Sequence, residues 1–242
     1  MVEFNNVSFS YEKAYPVLNG MSFSVAEGES VGIIGANGAG KSSLLKVLLG
    51  LLPHEGEVQV KGISVCKQNL PEIRKIIGFV LQNSDNQMFM PTVYDDMMFG
   101  LLNYGMPKQE ADKRVDEVLG QLNLSKLKNK YNHKISGGEK RMAAIATVLA
   151  MNPEVIVMDE PSVSLDPYNR RSVINVIRSL PQTKIIASHD LDMIMETCKR
   201  VILIADGHVI ASGATEKILG DRELLESNRL ELPISIAARQ GI

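Results

Sequence analysis

Hydrophobic positions early in the chain fall at every second place. Val2 and Phe4, then Val7 and Phe9, alternate with polar residues, with a slip near Asn5-Asn6. Met21, Phe23 and Val25 repeat the pattern, as do Val58 and Val60 between Gly56 and Gly62. Period-two alternation marks strands with one wet face, so an antiparallel layer is predicted here. A second kind of strand is short, continuous and apolar: 30–34, 77–81, 155–158, 184–187 and 201–205. Strands buried on both faces read this way. The helical patterns that separate most of them predict an α/β fold, a parallel sheet with helices on both sides. Asp206-Gly207 is a two-residue hairpin turn before a last strand at 208–211.

Residues from about 92 to 150 carry no such strand. Met106-Pro107 precedes a helix with Val115, Val118, Leu119 and Leu122 on one face, and 138–151 is a second, strongly apolar helix. The block reads as a helical subdomain, at about 88–150, inserted in an α/β core that spans 1–215. The tail, 216–242, mixes the end of a short helix (215–219) with Gly220, Pro233 and charges, and reads as a small appendage.

Composition narrows the class. The chain has 242 residues, 45% hydrophobic and 22% charged. That is a globular protein with its own core, and disorder as the main state is excluded. Basic residues number 26 and acidic 28, for a net charge of −2. No overall basic field exists of the kind that drives nucleic-acid binding, so no nucleic-acid partner is expected. Cys66 and Cys198 are far apart and have no Cys or His at metal-ligand spacing, which fits a reducing cytosol without disulfide or zinc. The first residues have neither a basic nor an apolar signal region, and no apolar run approaches the ~18–20 residues of a membrane-spanning helix.

The chemistry begins after strand 30–34. Gly35-Ala36-Asn37-Gly38-Ala39-Gly40-Lys41-Ser42 matches the glycine-rich phosphate loop. Glycines let backbone N–H groups converge on phosphate oxygens, and the next helix adds the positive end of its dipole. Lys41 is placed to reach β- and γ-phosphates, Ser42 to ligate Mg²⁺ and Ser43 to bond the α-phosphate. Strand 155–158 runs into Asp159-Glu160. Ligands of open parallel sheets bind at the carboxyl ends of strands. Asp159 can then hold Mg²⁺ through a water, and Glu160 is a candidate general base. The bland alternative is a strand ending in solvated acids. Ser136 is a plausible N-cap for the second insertion helix, with Gly137 and Gly138 leaving backbone N–H groups open to an anion. An ordinary Ser-Gly-Gly turn looks the same in isolation. His189, after strand 184–187, can donate to a phosphate oxygen, although a lone His is usually structural.

Taken in order, Tyr11, the phosphate loop, Gln82, Ser136-Gly137-Gly138, Asp159-Glu160, Ser164-Leu165-Asp166 and His189 resemble the ATP-binding-cassette (ABC) ATPases over nearly the full length. The resemblance implies a phosphate-loop (RecA-like) nucleotide-binding domain that hydrolyses ATP with Mg²⁺. It implies that Tyr11 stacks on adenine and that Gln82 senses the Mg²⁺ and water and links the site to the helical subdomain. Ser136 to Glu139 is then the signature loop, which binds the γ-phosphate of the opposite protomer. Asp166 lies in the dimer loop, and His189 is the switch histidine. The stretch from Gln82 through Asp95-Asp96 and the tail around Glu223 to Pro233 look like energy-coupling-factor and cobalt-type (CbiO-like) importer ATPases.

That closer resemblance implies partners: a second ABC ATPase subunit, an integral membrane coupling protein and a substrate-binding subunit. It places the chain peripherally, on the cytoplasmic side of the cell membrane, powering uptake of a vitamin or of Co or Ni ions. Asp85, Asp95 or Asp96 can receive arginines of membrane-partner helices, the plain alternative being a solvated helix face. Met88, Met90, Met97 and Met98 offer an adaptable apolar floor, the plain alternative being core filling. Two positions depart from the family pattern. Glu139 stands where Gln is usual, and Ser164 where Gly or Ala is usual. The alternatives are another ABC transporter type and a soluble ABC protein, although the latter usually carries two cassettes or a long coiled coil.

Overall fold

The computed structural model describes residues 1–12 and 15–240. Strands β1 (Val2–Glu12), β2 (Tyr15–Val25), β4 (Glu55–Val60) and β5 (Ile63–Ser64) form an antiparallel sheet in the order β2-β1-β4-β5. Val2, Phe4, Val7 and Phe9 are buried as the alternation predicts. The slip near Asn5-Asn6 is a β-bulge, where Asn6 takes φ 51°. Phe4 and Phe23 stack across β1 and β2 with centroids 4.5 Å apart.

The apolar runs build a six-stranded sheet from β3 (Ser30–Ile34), β6 (Ile77–Val80), β7 (Val155–Asp159), β8 (Thr183–Ala187), β9 (Arg200–Ala205) and β10 (His208–Ala214). Its order is β10-β9-β3-β8-β7-β6, and only β10 runs antiparallel to its neighbour. Every residue of β3, β7 and β8 is buried, as continuous apolar runs require. Asp206 and Gly207, at φ 48° and 76°, make the left-handed two-residue turn between β9 and β10. Helix α1 (Lys41–Leu48) buries Leu44, Leu45 and Leu48 between the two sheets. Helix α2 (Leu70–Ile76) leads into β6 and places Ile73 and Ile76 in the same core.

The inserted segment is built on helices, with a single β-bridge between Thr92 and Tyr131 among the described residues. It comprises a single turn α3 (Ser84–Gln87), then α4 (Val93–Asn103), α5 (Lys108–Gln121) and α6 (Gly137–Ala150). Val115, Val118 and Leu119 of α5 pack with Met97 and Leu101 of α4 and with the Ala143–Ala146 face of α6. Met88, Met97 and Met98 are buried in this core, so they fill it rather than floor an open groove. The Tyr94 hydroxyl donates to Asp112 at 2.5 Å and ties α4 to α5. That bond pushes the tyrosine pKa up to about 12.

Helices α7 (Pro167–Ser179) and α8 (Leu191–Thr197) cover the same face of the sheet. The tail contains α9 (Thr215–Leu219), α10 (Arg222–Ser227) and α11 (Ile234–Gln240). This short appendage packs against the core. Leu219 and Leu225 are fully buried in the core cluster with α8. Asp192 of α8 accepts from the backbone N–H groups of Ile234 and Ser235, both at 3.0 Å. Helices this short show no readable period, which is why their buried face is silent in the sequence.

Asp96 organises the start of the insertion. Its buried carboxylate accepts from the N–H groups of Phe89 and Met90, each at 3.1 Å, and from the Asn132 amide. Asn132 also donates to the Met90 carbonyl at 2.7 Å. Asp96→Ala strands these donors, and each unsatisfied buried donor costs roughly 1–3 kcal/mol. The expected loss is about 2–4 kcal/mol in urea unfolding. Parent-like stability would refute this role.

Candidate nucleotide-binding site

The phosphate-loop sequence turns sharply because two glycines permit it. A Cβ on Gly35 would lie 2.2 Å from the Ile204 carbonyl oxygen of β9. Gly40 has φ 101°, and its Cβ would lie 2.8 Å from the Val17 carbonyl oxygen. No side chain fills either place. No side chain caps α1, so its first N–H groups face the loop with the positive end of the helix dipole.

These features bound a cleft of about 500 Å³. Asn37, Gly38, Gly40, Lys41, Ser42 and Ser43 line one side, with Gln82, Glu160 and His189 opposite and Tyr11 at the mouth. Gly35, Ala36 and Ala39 shape the turn behind it. Tyr11 is 60% exposed, rests edge-on against Phe9 at 4.8 Å and places its hydroxyl 3.3 Å from Ser43 Oγ. Its ring is free to stack on a flat ligand.

The charges meet because β3, β8 and β7 are neighbours. Lys41 is buried and donates to the carbonyls of Gly35 at 2.7 Å and Ala36 at 3.2 Å. Burial lowers its pKa, while Glu160 and Asp159 oppose that shift. Asp159 ends β7 in register with Ala187. Burial pushes its pKa up, with the Ser42 hydroxyl and Lys41 pulling the other way and Glu160 adding to the rise. Its Oδ1 is buried without a hydrogen-bond partner. The donor set of Ser42 hydroxyl and Asp159 carboxylate, with that orphaned oxygen, fits a hard cation such as Mg²⁺.

Glu160 is 6% exposed and sits in the left-handed region at φ 47°, with its N–H donating to the Ala187 carbonyl at 2.8 Å. That strained turn aims the carboxylate across to β8. There it accepts from Ser188 Oγ at 2.9 Å and from the His189 backbone N–H at 3.1 Å, and His189 Nδ1 lies 2.8 Å from its Oε2. Ser188, fully buried, is a site residue that the sequence reading passed over. Its signal was its place beside His189 at the same strand end.

The signature segment stands elsewhere. Ser136 N-caps α6 in a capping box. Its N–H donates to Glu139 Oε2 at 2.9 Å, and its Oγ accepts from the Glu139 N–H at 3.2 Å. The Ser136 backbone donor holds the Glu139 carboxyl below its ordinary pKa, and Lys130 lies 3.7 Å away. The unusual glutamate thus points into the cap and meets a cation. Gly137 lines a separate cleft of about 550 Å³, with Ser164 and the outer side of Gln82. Ser164 has φ 60°, a conformation glycine adopts without strain. Asp166 N-caps α7 by accepting from the Asn169 N–H at 2.9 Å. Ser136 to Glu139 and Asp166 do not line the cleft of Lys41 and Glu160.

The acids near Gln82 each have a partner within the chain, although Asp85 also keeps 70% of its side chain exposed. Asp85 pairs with Lys140, Asp95 completes the α4 capping box with Thr92, and Asp96 is buried. The exposed groups here are aromatic. Phe89 and Phe99 meet edge to face at 5.1 Å, and with Tyr104 they rim a groove beside β6.

Residues 18–163 match the ABC transporter family model, well over half the chain. The chain belongs to that family. It is 47% identical, over 98% of its length and 95% of the relative's, to a Geobacter sulfurreducens protein named at the level of an ABC transporter ATP-binding protein. It is 41% identical to the energy-coupling factor transporter ATP-binding protein EcfA of Methanocaldococcus jannaschii, over 96% of this chain and 86% of that one. Among solved structures, cbiO1 of Clostridium perfringens, part of the ABC transporter complex cbiONQ, superposes with a TM-score of 0.85. It has 32% identity and covers 100% of this chain and 98% of that one. The ATP-binding cassette MJ0796, solved as a dimer bound to ADP and phosphate, gives a TM-score of 0.80 at 28% identity, covering 89% and 99%. The chain is an ATP-hydrolysing ABC cassette, the ATPase subunit type of such transporters. No helix among the described residues is long and apolar enough to cross a membrane.

Asp159 gives a pH test of the site. Its folded pKa is raised, so ionising it costs folded-state stability. The empty protein is favoured below the unfolded pKa and loses that advantage as pH rises through the folded value. Asp159→Asn should therefore melt above the nucleotide-free parent at neutral pH, with the gain shrinking as pH falls into the acidic range. Calorimetry showing an equal or lower melting temperature at neutral pH would overturn this.

Proposed function

We propose that this chain is the ATPase subunit of an energy-coupling-factor type importer, bound peripherally to the cytoplasmic side of the membrane through separate membrane-spanning subunits. Similarity to EcfA and cbiO1 along almost the whole chain, tail included, supports the subtype. The exposed aromatic groove of Phe89, Phe99 and Tyr104 supports docking of an apolar helix from a membrane partner. The cargo belongs to the membrane partner, with vitamins and Co or Ni ions the candidate classes.

One observation carries the mechanism. Ser136 and Gly137 lie outside the cleft that holds Lys41 and Glu160, so a single chain supplies two halves of different sites. A second cassette, of this chain or a related one, completes each site when its signature loop meets the γ-phosphate. Tyr11 stacks on adenine, and the loop N–H groups and Lys41 bind the phosphates. To do so, Lys41 exchanges the Gly35 and Ala36 carbonyls for phosphate oxygens. Ser42 and Asp159, with Gln82, would hold Mg²⁺. When bound, Mg²⁺ supplies positive charge to the phosphate oxygens. Glu160 takes a proton from the attacking water as its oxygen bonds the γ-phosphorus, and the bond to the β-phosphate oxygen breaks to release ADP. His189 holds Glu160 in place through its backbone N–H and sets its ring in the cleft beside the transferring phosphoryl group. Asp166 caps the helix behind the dimer loop. Phosphate release removes the shared ligand, and the two cassettes part.

Glu160→Gln keeps the shape and removes the base. Turnover should fall about 10²–10⁴-fold while ATP binding persists, so ATP should trap a dimer on size exclusion. Retained hydrolysis, with no dimer, would refute the mechanism. Affinity capture of the tagged chain from its own membranes, followed by mass spectrometry, tests the subtype. A coupling protein and a substrate-binding subunit are expected, and a membrane subunit of an exporter would refute it.

A further inference from the structure

Three side chains bind the segment after β6 to one face of α6. Arg141 is 4% exposed and donates to the carbonyls of Leu81, at 2.6 Å, and Gln82. Lys140, beside it, pairs with Asp85. Gln87 accepts from the Leu81 N–H at 3.0 Å and donates to the Ala144 carbonyl at 2.8 Å and to Thr147 Oγ1 at 3.1 Å. Among the described residues no carboxylate pairs with Arg141. A buried guanidinium without a counter-charge is expensive, and its Nε has no partner. Core filling does not explain it, since an apolar side chain of similar size fills space at lower cost. What the guanidinium adds is a two-pronged grip on backbone oxygens.

The gripped residue belongs to both clefts. Gln82 lines the cleft of Lys41 and Glu160 and also the cleft of Gly137 and Ser164. Arg141 lies little more than one turn into the helix whose N-cap is Ser136. We propose that Arg141 is a positioning residue that locks the backbone of Gln82 to the signature helix. The loop that meets this chain's own nucleotide and the loop offered to a second cassette then move as one body. Nucleotide in one cleft sets how Ser136 is presented to the other cassette. This rests on the cassette mechanism above.

The test uses the full chain carrying E160Q, with ATP and Mg²⁺, diluted until light scattering reports a monomer. Amide hydrogen exchange is followed over 81–87 and 136–141. ATP is expected to slow exchange by about threefold or more in both segments. R141M should confine the ATP response to 81–87, with ATP affinity at its own cleft within about twofold of the parent. R141K should recover part of the response at 136–141, because an ammonium reaches one of the two carbonyls. Three results would overturn the proposal: an unchanged response in R141M, a loss of response in both segments together, or a parent response that never reaches 136–141. The cassette mechanism is judged separately, by whether the concentrated E160Q parent dimerises with ATP.

Discussion

Two carboxylates and an ammonium are held out of water where β3, β8 and β7 end side by side. Isolated buried charges cost several kcal/mol each, and mutual attraction repays this only with good geometry. Parallel register provides that geometry. Asp159 lies opposite Ala187, so Ser188 and His189 come within reach of Glu160. β3 lies on the other side of β8 and delivers Lys41 through the glycine turn. Shifting one strand by a single residue would leave these charges without partners. The sheet is thus the frame of an electrostatic site that a polyanionic ligand and a divalent cation would complete.

The helical insertion solves a different problem. Its apolar faces make a core without any strand, and its polar groups are used to fix loops. Asp96 and Asn132 hold 89–90 to the approach of α6, while Arg141, Lys140 and Gln87 hold 81–87 to α6 itself. The Gln82 backbone and the Ser136 cap are therefore both joined through hydrogen bonds to one helix.

Much of this was legible in the sequence, for physical reasons. Alternation and continuous apolar runs located nine of the ten strands among the described residues, because burial on one face or two leaves different periods. The glycine loop and the acid pair after 155–158 were legible because phosphate chemistry demands those residue types at fixed spacing. What stayed hidden was which polar groups the chain uses internally. Asp95 and Asp96 look like surface acids until the capping box and the Asn132 contact appear. Glu139 looks like a charge facing phosphate until its carboxylate turns back on Ser136. Arg141 gives no signal, since its partners are backbone oxygens some sixty positions earlier. The tail's packing was hidden because its helices are too short to show a period.

The place of β3 bears on how the protein is made. It carries the phosphate loop and ends within the first forty residues, yet its two neighbours in the sheet are β8 and β9. While the chain leaves the ribosome, β3 gains its first sheet neighbour only when β8 emerges and its second only when β9 does. The core face of α8 waits longer, for Leu219 and Leu225. Such long-range pairing folds slowly. A nascent cassette therefore cannot enclose its phosphate loop in the sheet until most of the chain has been made.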